Sequence, residues 1–100
     1  MVKLAGAGQL KKNSMFVARM VNGEGYLVPV SHDREEIRKI YRLNGMGWAI
    51  WKSIDSAKDL VDLCSRISEG YEVDLDTALS DTRKFLEELL KLGALVLEEE

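Results

Sequence analysis

Leu43-Asn44-Gly45-Met46-Gly47-Trp48-Ala49-Ile50-Trp51 is the stretch on which the fold turns, because hydrophobic periodicity changes within it. Upstream, Ile37 to Leu43 alternates as a strand does. Ile37, Lys39, Tyr41 and Leu43 share one face, and Arg38, Ile40 and Arg42 share the other. Downstream, Gly47, Ile50, Trp51 and Ile54 recur at helical spacing. Asn44 stands between them as an N-cap, since its short amide can accept a hydrogen bond from an orphan N–H of the first helical turn. Trp48 falls about 100° from Gly47 on the helical wheel, off the inward face.

Working outward, Phe16 to Val21 is rich in β-formers and is followed by Asn22-Gly23, the strongest short hairpin signal. Tyr26 to Val30 is the return strand, and Pro29, which has no N–H to donate, predicts that regular pairing ends near it or passes through a bulge. Ser31 to Glu36 is a polar connection into the Ile37–Leu43 strand. Residues 1–14 show no apolar periodicity and hold Gly6, Gly8 and three lysines, so they read as a flexible N-terminal arm.

Toward the C-terminus, Ser56 with Asp59 resembles a weak capping box for a second helix. The stripe of that helix is Ala57, Leu60, Val61, Cys64, Ile67 and Tyr71, and Gly70 ends it or lies just beyond. Asp74 caps a third helix running to about Leu92, with Gly93 as its stop. The apolar residues of the third helix, Leu75, Ala78, Leu79, Phe85, Leu86, Leu89, Leu90 and Leu92, span roughly 160° of the wheel. That width suffices to cover a core and still line a groove. Ala94 to Leu97 is a short extended piece, and Glu98 to Glu100 an acidic tail. The order predicts an α+β fold, a three-stranded antiparallel sheet followed by three helices, of which helices two and three can form a helix-turn-helix pair.

Composition sets limits on function. A chain of 100 residues with 46% hydrophobic and 31% charged residues is an ordinary globular domain. No apolar run approaches the ~18 residues of a membrane span, and Met1 to Gly8 lacks the character of a signal peptide, so the cytoplasm is the expected location. The single cysteine, Cys64, and single histidine, His32, are too few for a dedicated zinc site. Gly23-Glu24-Gly25 and Gly45-Met46-Gly47 lack the third glycine and the strand-to-helix context of a phosphate loop. No nucleophile elbow or His-Glu-x-x-His is present. Cys64 lies on a core stripe, where burial raises a thiol pKa and leaves it inert. We expect no enzyme activity, no cofactor and no metal.

Binding is better supported. In a simple meander the Ile37–Leu43 strand lies at a sheet edge, and an open edge offers unpaired N–H and C=O groups to another chain. Arg38, Lys39 and Arg42 read equally as gatekeepers against aggregation or as attractors of an acidic peptide added as an extra strand. Residues 1–52 carry nine Lys/Arg against four acids, and residues 53–100 five against thirteen, net charges of +5 and −8. This separation is read either as two faces for different partners or as solvated surface alone.

These residues carry a resemblance. Leu43-Asn44-x-x-Gly47-x-x-Ile50-Trp51 followed by Ile54-Asp55 resembles the hallmark of PqqD-like proteins, the family of coenzyme PQQ synthesis protein D, also called RiPP recognition elements. Asp59-Leu60-Val61, Tyr71-Glu72-Val73-Asp74 and Phe85-Leu86-Glu87-Glu88-Leu89-Leu90-x-x-Gly93-Ala94-Leu95 match in the same order, over about residues 15–97. Gly45-Met46 departs from the polar or acidic pair that members often carry, and the start of helix one fits the general family better than members of the PQQ pathway.

The resemblance implies a winged helix-turn-helix-like fold of three strands and three helices, and a non-catalytic peptide chaperone. Such a protein binds the leader of a ribosomally made precursor peptide by strand addition and presents it to a modifying enzyme, often a radical SAM protein, in PQQ synthesis or another pathway of ribosomally made peptides. Carried onto this chain, the peptide-binding wall is Arg38, Lys39, Ile40, Tyr41, Arg42 and Leu43, faced by Ala78, Asp81, Thr82, Phe85 and Glu88 on helix three. Trp48 is a candidate anchor for the partner enzyme or a cover for the sheet rim. The alternative is a winged-helix DNA-binding regulator. Against it, helix three mixes Arg83, Lys84 and Lys91 with at least four acids, where phosphate contact calls for cations. Neither nucleic acid nor membrane is expected as a partner.

Overall fold

The computed structural model describes residues 2–4, 8–30 and 40–98. Its strands are β1 (Val2–Leu4), β2 (Gly8–Lys12), β3 (Phe16–Val21), β4 (Glu24–Pro29), β5 (Tyr41–Leu43) and β6 (Leu95–Glu98). Its helices are α1 (Gly45–Ile54), α2 (Leu60–Tyr71) and α3 (Leu75–Leu92). The strands form two antiparallel sheets of three, ordered β3-β4-β5 and β1-β2-β6.

The first sheet is built as its sequence requires. Asn22 and Gly23 take φ of 51° and 80°, the two positive values that let a two-residue loop match strand twist. Phe16 pairs with Pro29, where the ladder stops, and the Val30 N–H donates instead to the Met15 carbonyl at 2.7 Å. Gly25, Leu27 and Pro29 are buried on the inward face of β4 while Glu24 stays exposed. Gly25 is a close-approach position: a Cβ there would lie 2.5 Å from Trp48 Cε3.

The helices cover that inward face. Asn44 caps α1 by accepting from the Gly47 N–H at 2.7 Å, and Gly47, Ile50, Trp51 and Ile54 are buried as their spacing predicts. Asp74 caps α3 through the Thr77 N–H at 2.7 Å, and Gly93 closes it at φ 89°. The second helix departs from expectation. Asp59, not Ser56, is its N-cap, accepting from the Asp62 N–H at 2.8 Å. The buried stripe runs through Leu63, Cys64 and Ile67, and Val61 is 69% exposed. Two overlapping apolar series exist on this helix, and docking against α3 selects the one that includes Leu63. Gly70 lies within the helix, which ends at Glu72 with φ 52°.

The main difference lies at the N-terminus. Residues 8–12, expected as part of a flexible arm, form β2, which pairs with β1 on one side and β6 on the other. Leu10 is 1% exposed and joins the core. Lys12 is equally engaged: its ammonium lies 2.7 Å from Asp55 Oδ2 and 4.6 Å from the centre of the Trp51 ring. The Asn13 amide donates to the Gly93 carbonyl at 2.9 Å and so ties the end of β2 to the end of α3. The short extended piece expected after Gly93 is β6, the partner that makes β2 possible. Glu98, expected in the acidic tail, is its last residue. Glu99 and Glu100 lie outside the described residues.

Candidate functional site

β5 ends the β3-β4-β5 order, pairing Tyr41 to Leu43 with Leu27 to Gly25, so its outer edge has no partner strand among the described residues. Ile40 precedes it outside that ladder and is 46% exposed. The expected strand from Ile37 is therefore described only at Tyr41–Leu43. Arg38 and Lys39 lie outside the described residues.

Alternation along β5 sends its side chains to different tasks. Tyr41 points inward toward α3, where its hydroxyl donates to a Glu88 carboxylate oxygen and its ring meets Phe85 at 6.3 Å between centroids and 60° between planes. Burial, and then the Glu88 contact, push the Tyr41 pKa up to about 12, so the phenol is neutral at physiological pH. Arg42 points the other way and pairs with Glu24 Oε1 at 2.7 Å, and the Tyr26 hydroxyl donates to the other oxygen of the same carboxylate. Leu43 is buried, so only its backbone can serve a partner.

Between β5, the start of α1 and α3 runs an open groove of about 340 Å³, lined by Tyr41, Asn44, Met46, Gly47, Ile50, Asp81, Lys84, Phe85 and Glu88. Phe85 is its aromatic wall. Gly47 allows Phe85 to sit there, since a Cβ on Gly47 would lie 3.1 Å from Phe85 Cε1.

Three expected helix-three contacts, Asp81, Phe85 and Glu88, thus face the edge strand across one groove. The other two are corrected. Ala78 and Thr82 are fully buried and offer no surface to a peptide. They belong to the inner stripe with Leu86 and Leu89, one step around the helix from the groove stripe. Thr82 instead lies beside Cys64, whose thiol pKa burial raises while the Thr82 hydroxyl acts in the opposite sense. Lys84, Asn44, Met46, Gly47 and Ile50 complete the lining and were not among the candidates. For Lys84 the signal was present, because it falls three residues after Asp81 and four before Glu88.

Trp48 is half-buried against Gly25, with the Lys52 ammonium 5.4 Å from its ring centre, so it covers the sheet rim. The solvent side of α3 mixes Asp76 and Glu87 with Arg83 and Lys84 and forms no cationic stripe for a phosphate backbone. No helix among the described residues is long and apolar enough to cross a membrane.

Fold and groove together define a winged-helix-like α+β domain with an open strand edge beside an aromatic-walled cleft. The family model for coenzyme PQQ synthesis protein D (PqqD) matches residues 19–95, and the chain belongs to that family. β1 and β2 precede the matched region. A solved structure, TbiB1 in complex with the TbiA(beta) leader peptide, has the same fold, with a TM-score of 0.72 and 22% identity over 90% of this chain and 99% of that one. A comparison with curated proteins gives no match.

Proposed function

We propose that this chain is a non-catalytic leader-peptide-binding protein. It takes the leader of a ribosomally made precursor as an extra antiparallel or parallel strand on the outer edge of β5, with alternate side chains lowered into the groove against α3. The carrying observation is the juxtaposition of that open edge with the Tyr41–Phe85 groove. Membership of the PqqD family and a fold shared with a leader-bound protein support the reading.

The contributing residues are the backbone from Ile40 to Leu43 and the side chains of Tyr41, Asp81, Phe85 and Glu88. The bound leader is presented to a modifying enzyme of the radical SAM type, with the exposed part of Trp48 as a candidate anchor. Both the pairing and the presentation take place in the cytoplasm.

Magnitudes are compatible with reversible capture. Each backbone hydrogen bond of an added strand is worth roughly 0.5–1.5 kcal/mol net. One apolar anchor adds about 1.5–3 kcal/mol, and ordering the peptide costs about 2–5 kcal/mol. A Kd near micromolar, about −8 kcal/mol, follows when several pairs and two anchors form. The test is a fluorescence anisotropy titration of the labelled leader encoded by a neighbouring short reading frame. Saturable binding in the micromolar range is expected, and an unchanged signal at millimolar protein contradicts the proposal.

A further inference from the structure

We propose, resting on the peptide-binding reading above, that the groove selects a strand whose apolar anchor is flanked two residues away by lysine or arginine. Asp81 and Glu88 both line the groove. Among the described residues Asp81 has no ion-pair partner, and Glu88 accepts only from the Tyr41 hydroxyl, so neither carboxylate is paired with a cation. Lys84 stands on the crest of α3, since it also borders the depression on the far side with Asp76, Ser80, Arg83 and Glu87. On the facing wall Tyr41 is uncharged, while Arg42 is turned to the opposite face of the sheet and paired with Glu24. The described lining thus sets Phe85 between two carboxylates, with Lys84 as its one cation, and is net anionic.

The spacing suits a strand. At ~1.5 Å per residue, Asp81 and Glu88 are ~10 Å apart along α3, with Phe85 between them. Successive inward side chains of a strand are ~6.7 Å apart, so three of them cover ~13 Å. A central apolar residue then reaches Phe85, and the flexible stems of flanking lysine or arginine take up the remaining few ångströms. Of the cations expected along this edge, Arg42 does not face the groove, and the described lining favours a charge opposite to that of the acidic peptide the edge suggests.

Phage selection of short random peptides on the full-length chain tests this, followed by titration of the selected sequences. We expect Lys or Arg two residues from Leu, Ile or Phe. Replacing those cations with Glu should weaken binding roughly three- to tenfold at low salt. The D81N/E88Q double variant, verified as folded by circular dichroism, should erase that difference, binding the Lys/Arg peptides no more tightly than their Glu counterparts. Peptides that need the β5 edge but carry neutral or acidic flanks would overturn the charge preference and leave the peptide-binding function standing. A folded chain that selects no peptide overturns both.

Discussion

Ile40→Pro is expected to abolish leader binding while leaving most of the helical signal in place. Ile40 is exposed and lies just outside the ladder that joins β5 to β4, so the substitution removes no core contact and no internal strand pair. Its effect falls on the outer edge. Proline removes one N–H, fixes φ near −65° and forces the preceding residue toward extended or polyproline geometry. A strand added along so short an edge has few hydrogen bonds to lose. Anisotropy against the wild-type leader, with circular dichroism as the fold control, reads the outcome. Undiminished binding by the folded variant would rule out strand addition at this edge.

The second large effect is on stability. Leu10→Ala should cost about 2–5 kcal/mol, a large part of the ~5–15 kcal/mol that holds a domain of this size together. Leu10 is fully packed, with Val2 and Leu97 as its cross-strand neighbours. Urea denaturation at constant m-value measures the loss. A change within ~0.5 kcal/mol, as for an exposed position, would show that the N-terminal strands are not part of the folded core. The same truncation at Val61, 69% exposed on α2, should be nearly silent.

Much of this fold is legible in the sequence because its signals are local. Asn22-Gly23 specifies its turn by backbone conformation, and Asn44 and Asp74 cap helices that begin one residue later. Gly47, Ile50, Trp51 and Ile54 share a face through simple periodicity. The β1-β2-β6 sheet is not legible in this way. Gln9-Leu10-Lys11-Lys12 holds one apolar residue, and its partner Leu95–Glu98 lies more than eighty positions away in the chain. Its burial depends on the close of α3 at Gly93, which no window around Leu10 contains. On α2, both Val61 and Leu63 continue plausible apolar series, and only tertiary docking decides between them.

The site divides the same way. Alternation correctly separates Tyr41 from Arg42, and helical spacing places Asp81, Phe85 and Glu88 on one side of α3. Ala78 and Thr82 show where that reasoning stops. A broad apolar arc includes both the stripe that packs inward and the stripe that borders the groove, and their boundary is set by how α3 sits on α2 and the sheet. Phe85 lies at that boundary and serves both.

The central claim is that the leader docks on the β5 edge against α3, and amide chemical shifts of the isotope-labelled chain during a leader titration test it most directly. The account predicts that the amides of Ile40 to Leu43, together with Asp81 to Glu88, move first and saturate in step. Shifts confined to β6, to the β3 edge or to the far side of α3 around Asp76 and Arg83, with β5 unmoved, would contradict it.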